Sequence, residues 1–395
     1  MLHCNITPAT RAAAGSETET VPSAAPDSPS PRLGGANAAG PACTRERHPM
    51  PLSATPKTSA ATVALAGAAA LGALAVANAV AARLTERRHP PTGKFIEVDG
   101  VRLHYSDRGR GSPVVLIHGN AVTGGDWNTS GVADLLLPDH RVIIFDRPGF
   151  GHSERPRGRM WTATQQAELL HKALRRLGVE RPVVVGHSWG TLVALELAAN
   201  HQADTAGLVL LSGYYFPTLR PDVLLVAAGA LPVLGDVLRY TVSPPLGWLQ
   251  MPLLKKAMFS PARVPARFHA EYSPAMALRP SQIRATSVDG ALMIPGALAL
   301  RGDYKNLTLP VVIIAGDGDK VVFKRRSERL AANIRGSVLQ IVKGAGHMVH
   351  HLAPRQVAQA IEDVAEASRR RLAPGGGRDT VPSAAAQRRD AFAAE

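Results

Sequence analysis

Six short apolar runs punctuate the chain, at 114–118, 141–145, 182–186, 207–211, 311–315 and 337–342. They are rich in Val, Ile and Leu, which suit a pleated strand covered on both faces. Between them lie stretches with a helical apolar period, at 164–177, 191–200, 324–334 and 353–370. Short all-apolar strands alternating with helices bury both of their faces only in a mostly parallel α/β sheet. Two further runs, 95–98 and 101–106, flank Asp99-Gly100, a two-residue hairpin signal. They add an antiparallel edge and bring the expected strand count to eight.

One interval breaks the alternation. Residues 214–306 contain no clear strand but are dense in Pro and bulky apolar residues, among them Phe216, Leu224, Leu225, Trp248, Leu249, Leu253 and Phe259. A segment this long and apolar is not a loop. It reads as an inserted helical cap that divides the core into 94–213 and 307–371.

The ends have a different composition. Residues 1–57 are rich in Ala, Pro, Ser, Thr and Gly and read as a disordered leader, and 372–395 read as a disordered tail. Segment 58–83 holds 24 consecutive uncharged residues, 59–82, enough to span a bilayer. It is mostly Ala, with Lys57 before it and Arg83, Arg87 and Arg88 after it. Three readings stay open: a membrane anchor, a signal segment starting at Met50 and cut near Ala77-Asn78-Ala79, or an Ala-rich helix with no membrane role. The corresponding locations are membrane-anchored, secreted or periplasmic, and cytoplasmic. Basic residues flank both ends, so orientation stays undecided.

The net charge of +14 invites a nucleic-acid reading. Only 9 of the 45 basic residues are Lys, and the chain is rich in Ala, Gly and Pro. That is a composition of coding bias, and no nucleic-acid-binding module or zinc-finger spacing accompanies it. No nucleic-acid partner is expected. The two cysteines, Cys4 and Cys43, both fall in the leader, which excludes a disulfide scaffold.

The chemistry concentrates at Gly186-His187-Ser188-Trp189-Gly190, which follows an apolar run and opens a helical stretch. This is a G-x-S-x-G elbow in its strand–turn–helix context. The flanking glycines let strand and helix approach while the turn strains Ser188 and raises its hydroxyl. A serine hydroxyl needs a base to act as a nucleophile. Two later strand ends supply candidates: Gly316-Asp317-Gly318-Asp319 and Gly344-Ala345-Gly346-His347. The order Ser, acid, His suits such a fold, with His347 as general base and then acid, and Asp319 orienting its ring.

Together with His118-Gly119-Asn120, Trp127 and the run Phe145 to Ser153, these blocks resemble a cap-bearing α/β-hydrolase over residues 94–370. The kin are epoxide hydrolases, haloalkane dehalogenases, haloperoxidase-like esterases, carbon–carbon bond hydrolases and monoacylglycerol lipases. In such proteins the acid stands three residues after the Gly that ends the strand, which implies Asp319 rather than Asp317. The resemblance also implies an oxyanion hole from the backbone N–H groups of Asn120 and Trp189, leaving their side chains free to shape an acyl pocket. Epoxide hydrolases and dehalogenases carry Asp at the elbow. Position 188 is Ser, so acyl transfer is expected instead.

The expected activity is carboxylic-ester hydrolysis without a cofactor. Alternatives are a carbon–carbon bond hydrolase, an aminopeptidase, or a membrane-tethered binding protein without turnover. An aminopeptidase needs acids in the cap, yet residues 214–308 hold 5 acidic residues against 10 basic ones. An apolar, basic cap beside a membrane segment suits a lipid-like ester as the small-molecule substrate. His118 and His187 are expected to pack or hydrogen-bond locally. His350 and His351 lack the nearby acidic or Cys partners a zinc site needs, so no metal is expected.

Overall fold

The structure, a computed structural model, describes residues 59–218 and 226–373. The expected leader, with Cys4, Cys43, Met50 and Lys57, lies outside the described residues, as do Leu224 and Leu225 and the tail from 374.

Eight strands form one sheet: β1 (Lys94–Val98), β2 (Val101–Arg108), β3 (Ser112–Ile117), β4 (His140–Phe145), β5 (Val183–His187), β6 (Gly207–Leu211), β7 (Val311–Gly316) and β8 (Val338–Val342). The spatial order is β1-β2-β4-β3-β5-β6-β7-β8. The β1–β2 hairpin turns at Asp99-Gly100, and both residues have positive φ, as a two-residue hairpin requires. β2 pairs antiparallel with β4, and every later pairing is parallel.

The helices, in chain order, are α1 (Ala60–Arg88), α2 (Gly125–Thr129), α3 (Val132–Leu136), α4 (Ala163–Arg176), α5 (Gly190–Asn200), α6 (Leu234–Tyr240), α7 (Ser243–Phe259), α8 (Ala266–Glu271), α9 (Pro274–Ala277), α10 (Pro280–Leu300), α11 (Arg325–Asn333), α12 (Val349–Leu352) and α13 (Pro354–Leu372). Helices α6 to α10 all fall between β6 and β7. Local sequence explains the boundary of α4: Thr162 and Gln165 form a reciprocal capping box that satisfies its first free N–H groups.

Strand alternation sorts the core into two layers. Val115 and Ile117 of β3 face the cluster containing Leu170, Leu192 and Val193. Val114 and Leu116 face the other, with Trp127, Val357 and Ile361. Both layers are buried, so the central parts of β3, β5, β6 and β7 are apolar on both faces rather than alternating. The polar residues that do chemistry are therefore displaced to the strand ends. All six parallel-register strands point their carboxyl ends at the same rim.

Candidate active site

Ser188 sits immediately after β5, at φ +52, a conformation that L-residues seldom adopt. Its N–H donates to Leu211 O at 2.9 Å, so the sheet ladder itself holds the strained turn. The neighbouring glycines are required by space. A Cβ at Gly186 would lie 2.7 Å from Gly190 O, and one at Gly190 would lie 2.6 Å from both Ile117 O and His118 O.

His347 and Asp319 arrive from the turns after β8 and β7. His347 Nδ1 lies 2.9 Å from Asp319 Oδ2, and its Nε2 lies 2.8 Å from Ser188 Oγ. A carboxylate only accepts, so Nδ1 carries the proton and Nε2 is left to accept from the serine hydroxyl. Asp319 is buried, and its other oxygen accepts the N–H groups of Val321 and Val322, each at 2.8 Å. Asp317 turns elsewhere: its Oδ1 accepts from Gly344 N at 2.8 Å and tethers the loop leading to His347. Gly346 lets that loop pass close to the end of α7, because a Cβ there would meet Ser260 O at 2.5 Å.

The turn 118–120 lies against Ser188: a Cβ on Gly119 would stand 2.9 Å from Ser188 Cβ. Among the described residues, the N–H groups of Asn120 and Trp189 donate to no protein acceptor. The orientation of the first is set from behind. Gly119 O accepts from His118 Nδ1 at 2.7 Å and from Arg147 Nη2 at 3.1 Å. Gly119 C=O and Asn120 N–H share one planar trans peptide, so fixing the carbonyl aims the N–H the opposite way.

Arg147 is the residue that sequence reasoning passed over. It is fully buried and holds His118 O, Gly119 O and Asn120 Oδ1 at 2.9, 3.1 and 2.8 Å. Its charge is met by Asp289 of α10 at 2.6 Å. Asp289 also pairs with Arg155 at 2.8 Å, and its backbone O accepts the Trp189 indole N–H at 2.8 Å. Burial lowers the Arg147 pKa, with Asp289 opposing the shift. A guanidinium stays charged under such a shift.

This network corrects one expectation. The side chains of Asn120 and Trp189 are not free to shape an acyl pocket. Asn120 Oδ1 serves the buried guanidinium, and Trp189 is buried and tied to α10. Unmet buried polar groups are costly, and these two side chains supply the missing partners.

His118 accepts from Arg147 N at 2.9 Å, and burial, then the Arg147 charge, bring its pKa down to about 4. His187 donates to His347 O at 3.1 Å, and burial holds it well below the usual imidazole range. His350 and His351 do have an acidic partner, brought in by the fold from far away in sequence. Both Nε2 atoms donate to Asp126 of α2, each at 2.8 Å. Burial takes the His350 pKa down to about 4. Burial raises the Asp126 carboxyl, but His351 and His350 outweigh it and hold the group ionised. Asp126 thus ties the helix after His347 to the helix after the 118–120 turn. Trp127 and Trp161 are packed in the core.

The chain matches the model of the alpha/beta hydrolase family over residues 114–360 and belongs to that family. An uncharacterised protein of Mycobacterium tuberculosis is 29% identical over 326 residues, covering 75% of this chain and 90% of that one. Haloalkane dehalogenase 2 of the same species is 28% identical over 289 residues, covering 69% of this chain and 94% of the dehalogenase. Among solved structures, a bacterial membrane phospholipase A superposes with a TM-score of 0.54 at 21% identity, covering 78% of this chain and 97% of that one. An esterase from Thermogutta terrifontis gives 0.53 at 21% identity, covering 70% and 99%. The fold is that of a hydrolase with an eight-stranded, mostly parallel sheet.

Proposed function

We propose that this hydrolase cleaves a carboxylic ester with a hydrophobic acyl chain through a covalent acyl-serine intermediate. The observation that carries the reading is the continuous chain from Asp319 through His347 to Ser188, at 2.9 and 2.8 Å. Ser188 Oγ attacks the ester carbonyl carbon while its proton passes to His347 Nε2. The oxyanion that forms accepts from the N–H groups of Asn120 and Trp189, and a donor of this kind is worth roughly 10²–10³ in rate. Collapse breaks the bond to the alcohol, which leaves with the His347 proton. Water, deprotonated by the same nitrogen, then attacks the acyl carbon, releases the acid and restores Ser188. Asp319 keeps the ring in the productive tautomer and stabilises its charged form.

The resemblance to haloalkane dehalogenases does not extend to their chemistry, because a serine at 188 replaces the aspartate that would form an alkyl-enzyme. An ammonium-binding peptidase is disfavoured as well. Of the acids in the insertion, Asp236, Glu271 and Asp289 are each already paired with arginine. The long helix α1, uncharged over residues 60–82, supports a membrane-anchored location. Together with the basic, apolar insertion, it favours a lipid-like ester over a water-soluble one.

Fluorophosphonate labelling tests the nucleophile. The wild-type protein should react and Ser188→Ala should not; equal labelling of both would sink the assignment. Hydrolysis of p-nitrophenyl esters of increasing length tests the substrate class. A preference for acetyl or butyryl over acyl chains of about ten carbons would overturn the lipid-like reading, since each buried CH₂ should favour the longer chain by about 0.8 kcal/mol.

A further inference from the structure

Helix α1 is divided along its length. Residues 60–73 are all exposed, whereas one face of 74–85 is partly covered, at Leu74, Ala75, Asn78, Ala79, Ala82 and Thr85. The covering comes from the insertion. Asn78 Nδ2 donates to Tyr240 O at 2.8 Å and Thr241 O at 3.0 Å, and Glu86 pairs with Arg279 at 2.7 Å. The uncharged stretch 59–82 therefore runs past the point where the insertion begins.

Length makes this consequential. At about 1.5 Å per residue, the free segment 60–73 spans only about 21 Å of the roughly 30 Å hydrocarbon core. About six more residues are needed, and those residues, 74–79, lie against the insertion. Helix α1 therefore crosses a bilayer only if the insertion enters the membrane by about 9 Å, a normal depth for an interfacial helix.

The insertion is built for that depth. On α7, Val242 at its N-cap and Leu246, Leu249 and Leu253 recur every three to four residues and form one exposed apolar stripe; Leu249 and Leu253 are 77% and 71% exposed. Val233, Leu234 and Val237 on and beside α6 extend it. Trp248 lines a groove with Ala81, Ala82 and Leu84 of α1, and Tyr240 sits level with Asn78. Aromatic residues prefer this boundary, and Arg83, Arg87 and Arg88 follow immediately, where cations meet headgroups.

We infer that the α6–α7 face of the insertion is a membrane-docking surface, immersed in the bilayer beside α1. This rests on reading α1 as a membrane anchor. Helix α7 ends on the loop carrying His347, where Met348 N donates to Met258 O at 3.2 Å. The immersed helix thus borders the catalytic centre, and an ester enters from the acyl layer rather than from water.

The tryptophans provide the test. Trp127, Trp161 and Trp189 are at most 2% exposed, whereas Trp248 is 52% exposed. Full-length protein is reconstituted into phosphatidylcholine–phosphatidylglycerol vesicles with brominated acyl chains. Emission should be quenched relative to unbrominated vesicles, and the quenching should disappear in Trp248→Phe. Leu249→Asp/Leu253→Asp should still float with vesicles through α1. It should lose about tenfold or more in hydrolysis of a long-chain ester held in the vesicle, because carboxylates on the stripe oppose its entry into the acyl layer. Its rate on a soluble short-chain ester should stay unchanged. Protein that floats with vesicles but shows no bromine quenching of Trp248 overturns the docking surface and leaves the anchor standing. Protein that does not float overturns both. Fluorophosphonate labelling of Ser188 in detergent reads the ester-hydrolase assignment independently of either result.

Discussion

The two halves of the proposed active site are held in different ways. The proposed acid–base half, Ser188, His347 and Asp319, hangs on the ends of β5, β8 and β7: Ser188 N–H is held by Leu211 O of the neighbouring strand, and Asp319 by the N–H groups of Val321 and Val322. The proposed oxyanion half, the N–H groups of Asn120 and Trp189, is fixed by groups far away. Arg147 holds the 118–120 turn, Asp289 holds Arg147, and the Asp289 carbonyl holds Trp189. The first half hangs on strand ends and the loops that follow them; the second depends on where α10 lies.

The largest effect should come from the acid–base half. Ser188→Ala should lower kcat by at least about 10³-fold and leave the folded fraction unchanged, since triad members act as a unit. Steady-state ester hydrolysis with matched circular dichroism checks it. Asp319→Asn should cost roughly 10³–10⁴ in kcat by favouring the wrong His347 tautomer. Asp317→Asn should stay within a few-fold, since its carboxylate meets Gly344 N rather than His347. A reversal between these two variants would move the acid to Asp317.

Asp289→Asn separates the halves. It leaves the buried Arg147 and Arg155 charges without a carboxylate, and breaking a buried pair costs about 3–5 kcal/mol. Urea unfolding should show that loss. In the folded fraction kcat should fall by about ten- to a hundredfold, because the Asn120 donor is no longer held in line. Fluorophosphonate labelling should slow but persist, since Ser188 and His347 remain paired. If kcat were unchanged while stability fell, the clamp would be structural only.

The smallest effect is a pH dependence of stability. His118 and His350 stay neutral in the fold, with pKa values brought down to about 4 by burial. Above the ordinary imidazole value neither state binds the proton, so nothing is lost. As pH falls below about 6.5 the unfolded chain takes up protons that the folded chain refuses, and stability drops down to pH 4. Thermal unfolding across that window should show a falling Tm, and replacing His350 with Gln should flatten it.

Much of the fold could be read from the chain. Strand runs such as 183–186 are apolar at every position because both faces are covered, and that pattern is local. The elbow at Ser188 was equally plain, since its glycines are demanded by neighbours two residues away. Asp126 and Asp289 were not visible in this way. Each is one acid among many, and its meaning comes from partners 224 and 142 residues distant. The role of α1 was left open for the same reason. Composition marks an uncharged stretch, 59–82, but only docking against Tyr240 and Arg279 shows how little of the helix projects freely.

The sequence by itself thus determined the sheet, its hairpin edge, the elbow and the candidates Asp319 and His347. These follow from periodicity and close-range sterics, which act over a few residues. Tertiary structure alone decided which acid meets His350 and His351, what aims the Asn120 N–H, and where the apolar surface of the insertion faces. Those outcomes depend on buried charges finding partners and on exposed apolar faces lacking them. Both are properties of surfaces brought together from distant parts of the chain.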